Sequence, residues 1–349
     1  MNLRGLQQQI SQVKEIAIIG RNAEISGAVC HVMGLVLSDC NKLQMLVLQY
    51  DEAYRSKLEE SEIADLSISP VERLSNRMQL CRDRNPGPAV RLSSIEKVRI
   101  GGLELTSHES SSGMCRTDDW DKLVLFSHFL INGWNPGGID TQELNALFFT
   151  ALSFDGTYES IPAFDAEAQI HFNMRQNSGC HLVGLPVTLS VGSEYAEKLY
   201  FFDKVSGKQH WAQINKVTLC DIWAEVLKAF DNPQMTEHFS PEHLNRQKAE
   251  FEKHLAEICP KGMCYMMIEY ECEEEITLQF YSKRWLDANT SCSSSLIGFI
   301  MKPDEPTGKL GMKLKSAVIQ DPLTPDTTSI EAELFQYIQG FRPEDIIMP

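Results

Sequence analysis

From about residue 154 onward the chain is cut into strand-length apolar pieces separated by turn residues, and this punctuation constrains its fold more than any other feature. Ala168, Ile170, Phe172 and Met174 alternate with less apolar neighbours, the period-two pattern of a strand with one buried face. Residues 182–191 read as another strand. Residues 199–203 and 210–217 flank a turn at 205–208 and predict a hairpin; 263–271 and 276–282 predict a second. Residues 296–302 pair in the same reading with 310–319. Helices are expected over 221–230, 241–258 and 329–339, the last stopped by Gly340. Hairpin-like strands with helices between them predict an α+β region with antiparallel sheet over 153–349.

The first 152 residues read as a separate mixed α/β part. Leu3, Leu6, Ile10 and Val13 have helical spacing. Residues 15–20 predict a buried strand, 24–38 a helix containing Gly27 and Gly34, and 42–50 a second buried strand. Helices are expected over 51–66, 70–81 and 141–152. Residues 96–106 read as a strand interrupted at Gly101 and Gly102, and 107–118 as a loop. For 120–130 a helix is expected, with a strand over 123–126 as the alternative. The expected fold class is therefore α+β: an N-terminal strand–helix–strand unit, then a strand-rich region with antiparallel hairpins and packed helices.

One stretch has the order of a ligand site. Strand, glycine loop, helix, strand and acidic residue follow one another over 15–51, which resembles the opening of a Rossmann crossover and the first unit of methyltransferases. Such a crossover aims a helix N-terminus at phosphate and an acid at ribose. Gly20, Asn22, Gly27 and Asp51 fill those places, and NAD, FAD or S-adenosylmethionine would be the cofactor. Ile25 stands where the fingerprint has glycine, and a branched side chain crowds the helix–strand contact. A plain buried strand–helix–strand unit is therefore the preferred reading, and cofactor binding the alternative.

Other chemistry finds less support. His238, His243, His254, Cys259, Cys264 and Cys272 fall in one region without the paired spacings of a zinc site. Gly207-Lys208 and Gly308-Lys309 are followed by Gln and Leu rather than Ser or Thr, so they read as hairpin turns. No nucleophile elbow is present. Glu273, Glu274 and Glu275 join two strands as a solvated turn. Phe201, Phe202, Trp211, Trp223 and Phe230 are expected in the core, and several of them exposed together would mark an interaction surface.

A net charge of −16 disfavours general nucleic-acid binding, and the best basic stretch, Arg73 to Arg91, reads as a solvated face. The ten cysteines are scattered, as in a reduced, cytoplasmic protein rather than a disulfide scaffold. No apolar run reaches the length needed to cross a bilayer. The sequence reading is thus a non-catalytic binding or assembly protein that acts on a protein partner through its surface. The alternatives are an enzyme using the 20–51 cofactor site and an acidic polyanion mimic.

Overall fold

Residues 13–38 form a β-hairpin, not a strand followed by a helix. Val13–Ile25 (β1) and Ala28–Ser38 (β2) pair antiparallel, with Ile25 opposite Ala28. Ser26 and Gly27 between them both have positive φ, 52° and 82°, the conformation of a two-residue turn that matches strand twist. Gly34 sits at the bulge opposite Ile18 with φ 153°, and a Cβ there would collide with the Ala17 carbonyl.

The structure, a computed structural model, describes residues 3–67, 74–82, 87–193, 195–203, 207–230, 241–289, 301–303 and 305–349. Strand accounts for 47% and helix for 23%, so the α+β expectation is corrected to a mostly-β fold. The chain divides into two compact units, and neither is contiguous. The first comprises 1–70, 85–177 and 342–349; the second comprises 71–84 and 178–341. The sequence placed the division at 152/153.

In the first unit, Leu43–Tyr50 (β3), Ile95–Ile100 (β4), Leu103–Met114 (β5), Leu147–Phe154 (β6), Ile170–Met174 (β7) and Ile346–Met348 (β15) join the hairpin in one antiparallel sheet. Its order is β1-β2-β3-β6-β5-β4-β7-β15. The sheet curls almost into a barrel. Arg21 on β1 donates to the Ala168 carbonyl at 2.7 Å, and Glu15 accepts from Ile161 N at 2.9 Å. Cys30, Val32, Leu35 and Leu37 face the barrel core with Met45 and Val47. Met33 and Val36 face the other way, under Trp120–Ile131 (α4), with Phe126 and Phe129. Burial on both faces is why 24–38 imitates a helix: the alternation that marks a strand is erased. The same reason corrects 141–152, where β6 runs through the middle of the sheet; of the loop expected over 107–118, residues 107–114 instead continue β5. Leu3–Ser11 (α1), Glu52–Ser67 (α2) and α4 are helices as expected.

The second unit has two sheets around one core. Leu199–Phe202 (β9), Gln209–Cys220 (β10), Cys264–Cys272 (β11) and Lys315–Leu323 (β13) form one, in the order β13-β11-β10-β9. Asn177–Ser190 (β8), Ile276–Ser282 (β12) and Ser329–Phe341 (β14) form the other, in the order β12-β14-β8. Val183, Phe201, Ile214, Ile268, Leu278 and Leu334 meet in the core between them. Two expectations are corrected here. Residues 329–339 are the central strand β14, buried on both faces, not a helix. β11 and β12 are not a hairpin; the 273–275 turn carries the chain from one sheet to the other. Residues 296–300 of the strand expected over 296–302 lie outside the described residues, as do the first residues of the 70–81 helix. Among the described residues, Asn76–Arg82 (α3), Ile222–Phe230 (α5), Pro241–Ile258 (α6) and Lys283–Asp287 (α7) are the helices of this unit. Arg77 on α3 grips the Glu333 carboxylate with two bonds, at 2.7 and 2.8 Å.

Candidate binding seam

Among the described residues, β8 has only β14 as a ladder partner and β9 only β10. These two strands each end one sheet of the second unit, as β13 and β12 do on the other side, and contacts at both ends of β8 bring it near β9 and β10. Beyond the end of β8, Gly192 exchanges both backbone bonds with Val217 of β10, at 2.9 and 2.8 Å. At the opposite end, His181 of β8 reaches Asp203, the residue after β9, with Nδ1 3.4 Å from Oδ2. A single backbone bridge at one end and a side-chain pair at the other thus close this seam.

The inner face of the seam is a stack of rings. Odd-numbered β8 residues point inward, which puts His181 in line with the buried Val183. His181 lies on Tyr337 of β14 with centroids 4.7 Å apart, and His210 of β10 tilts against the same ring at 5.0 Å. Phe201 stacks on His210 at 5.6 Å. His210 Nδ1 lies 3.2 Å from the Glu273 carboxylate. Tyr337 Oη is buried beside Asp203 outside hydrogen-bond geometry, and burial, reinforced by the Asp203 charge, pushes its phenol up to about 12. Each histidine lies beside a carboxylate. The rings fill the mouth of the core, leaving it packed rather than hollow.

The outer face is apolar. Tyr200 and Phe202 of β9 are 56% and 57% exposed, and Leu182 of β8 is 38% exposed. No charged residue occurs in β8 or β9. Proteins usually guard free strand edges with lysine or another charge. Here Gly184, at φ 69°, and Pro186 interrupt the second half of β8, while Asn177–Val183 carries no such guard.

Of the aromatics singled out from the sequence, Phe201 and Trp223 are buried as expected and Phe202 is exposed. Sequence reasoning passed over His181, His210 and Tyr337. A histidine on the apolar face of an alternating strand was the readable signal for the first, but Tyr337 was hidden by the helical reading of β14.

The 20–51 residues take up structural positions. Gly20, with φ 64°, forms the β1 bulge, and Asn22 pairs with His31. Gly27 is in the hairpin turn. Asp51 caps α2 through Tyr54 N at 2.9 Å, and its other oxygen accepts from Ala89 N at 2.8 Å. Strand, not helix, follows Gly20, so the row of amides that motivated the cofactor assignment does not face it. Gly27 and Asp51 lie at one end of the sheet and Gly20 farther along it.

Among the described residues, no group of three or more His, Cys, Asp or Glu side chains is placed to hold a metal ion. His254 is exposed beside Glu257, whereas Cys259 is buried with Sγ directed at the Met263 carbonyl; His238 lies outside the described residues. A cleft of about 420 Å³ between α7 and the ends of β13 and β14 is occupied by its own ion pair, Arg284 on Asp321 at 2.6 Å. No described helix is long and apolar enough to cross a membrane. No family model matches the chain, and comparison with curated proteins and with solved structures returned no similar protein.

Proposed function

We propose that this is a non-catalytic binding or assembly protein whose partner, another protein, docks on the β8–β9 seam. The observation that carries the reading is the pair of sheet-ending strands without Asp, Glu, Lys or Arg, β8 and β9, with Tyr200 and Phe202 exposed beside them. Unpaired edge amides and carbonyls are templates for another chain, and clustered exposed aromatics favour interfaces. The stacked rings behind the seam support it as a rigid platform.

The test is a quantitative pulldown from native lysate with wild-type protein and a Tyr200→Ser/Phe202→Ser variant. Both side chains are more than half exposed, so the variant keeps its fold. The reading expects a partner retained by wild type and lost from the variant. A wild-type protein that captures nothing, or a variant that captures the same partner equally, refutes it.

A further inference from the structure

We infer that the solvent face of α4 pairs with the same face of a second copy of this chain, the two helices lying antiparallel about a two-fold axis between Val124 and Ser127. This surface belongs to the first unit, and the inference stands apart from the seam.

α4 is apolar on two sides. Phe126 and Phe129 bury one of them against the sheet, with Leu123 and Leu125 packed beside them. The opposite side of a surface helix is normally polar. Here Trp120, Val124, Ser127 and Ile131 occupy it, at spacings of four, three and four residues that align them in one stripe. Trp120 is 51% exposed and Ile131 83%. Ser127 brings no unsatisfied donor, because its Oγ donates to the Leu123 carbonyl at 2.8 Å, so covering it leaves no N–H or O–H without a partner. Leu130 borders the stripe, and α1, which packs against α4, adds an exposed Ile10. Asp121 and Lys122 are the only Asp, Glu, Lys or Arg residues of the helix, and both stand in its first turn, off the stripe.

The order of the stripe selects a second copy as its cover. Its spacing is the same read from either end, so a two-fold rotation sets Trp120 of each copy against Ile131 of the other, and Val124 against Ser127. Bulky side chains then meet at the ends, and the small Ser127 lets the helices approach at the centre, with the ridges of one in the grooves of the other. Charge selects the same arrangement. Asp118, Asp119 and Asp121 gather at the N-terminal end of α4, whereas residues 122–139 contain no Asp or Glu, and neither do residues 1–14. Parallel helices would set the aspartates of one copy against those of the other; antiparallel helices set them against a carboxylate-free end. In a chain of net charge −16, copies repel one another least across such a face. At 1.5 Å per residue the helix is about 18 Å long. A stripe of that length falls short of the roughly 800 Å² per partner of a stable complex, so the dimer is weak and exchanges with monomer.

Sedimentation velocity over a range of concentrations tests this on the full-length protein, with wild type, Ile131→Glu, Trp120→Lys and an equimolar mixture of the two variants. Both side chains are more than half exposed, so both variants keep the fold. Wild type should pass from monomer to dimer as concentration rises. Each variant alone should raise the dissociation constant about tenfold or more, because it puts an unpaired charge into both halves of the contact. In the mixture the two introduced charges are opposite and meet at one end, while the other end keeps its native contact. Mixed dimers should therefore form at concentrations where either variant alone is monomeric. A wild type that stays monomeric, a dimer indifferent to both substitutions, or variants that stay apart when mixed would overturn the inference. A wild-type monomer that floats with phosphatidylcholine vesicles, and no longer does so as Ile131→Glu, would overturn it too and assign the face to a lipid surface.

Discussion

His181 lies flat on Tyr337, with ring centroids 4.7 Å apart and planes 8° apart, and so ties the edge strand β8 to the central strand behind it. The stack is held by shape rather than by the phenol hydroxyl, which has no hydrogen bond. Tyr337→Phe should therefore change stability by less than about 1 kcal/mol, because it removes an unsatisfied polar atom and keeps the ring. Tyr337→Ala should cost about 3–5 kcal/mol through the cavity it leaves. Urea unfolding of the two variants checks this; a large loss in the Phe variant would mean that the hydroxyl is bonded after all.

His31 makes the first unit sensitive to acid. Trp134 Nε1 donates to His31 Nε2 at 2.8 Å, so the ring proton sits on Nδ1, buried without a partner. Burial lowers the imidazole from 6.5 to about 4. The unfolded chain then takes up the proton first, and stability present above pH 6.5 is lost as pH falls toward 4. The loss should be on the order of 3 kcal/mol. Unfolding midpoints measured from pH 7 to pH 4 should fall more steeply in wild type than in His31→Gln.

Glu271 fastens the 308–312 segment. Its carboxylate is buried and accepts from Asn215 Nδ2 at 3.0 Å, Leu310 N at 3.0 Å and Met312 N at 2.8 Å. Burial works against the charge, and these donors outweigh it, holding the carboxyl below its ordinary value. The stabilisation is therefore present at neutral pH and lost only as pH falls below the ordinary carboxylate range. Glu271→Gln turns an amide N–H₂ toward donors and should cost about 2–3 kcal/mol. Gly308→Ala should be comparably damaging, since a Cβ would collide with Asn215 and Glu271. Limited proteolysis should open this segment first in both variants.

The C-terminal strand belongs to the first unit although the chain reaches it from the second. β15 pairs with β7, and Asp345 accepts from Met174 N at 2.8 Å and Asn173 Nδ2 at 2.7 Å. Deleting 342–349 should speed amide exchange in β7 and β4 while leaving β11 and β14 protected. Equal loosening of all four strands would contradict the division.

Strands with one buried face were legible in the sequence because their alternation survives: β7 and the β9–β10 hairpin were both found. Strands buried on two faces were not. β2, β6 and β14 carry buried residues on both faces, so helical spacing can be picked out of them by chance. That one ambiguity turned a mostly-β fold into α+β and produced the nucleotide-like order at 15–51. It also hid Tyr337, on which the histidines stack. Phe202 was legible as an aromatic but not as an exposed one, since exposure at an edge depends on which strand ends the sheet.

Amide hydrogen exchange on the protein alone and in complex with its captured partner tests the seam directly. Added protection should concentrate at Ser178–Val183 and Leu199–Phe202 and be absent from the outer strands β1 and β13. Protection elsewhere, with these two edges exchanging as fast as in the free protein, would contradict the account.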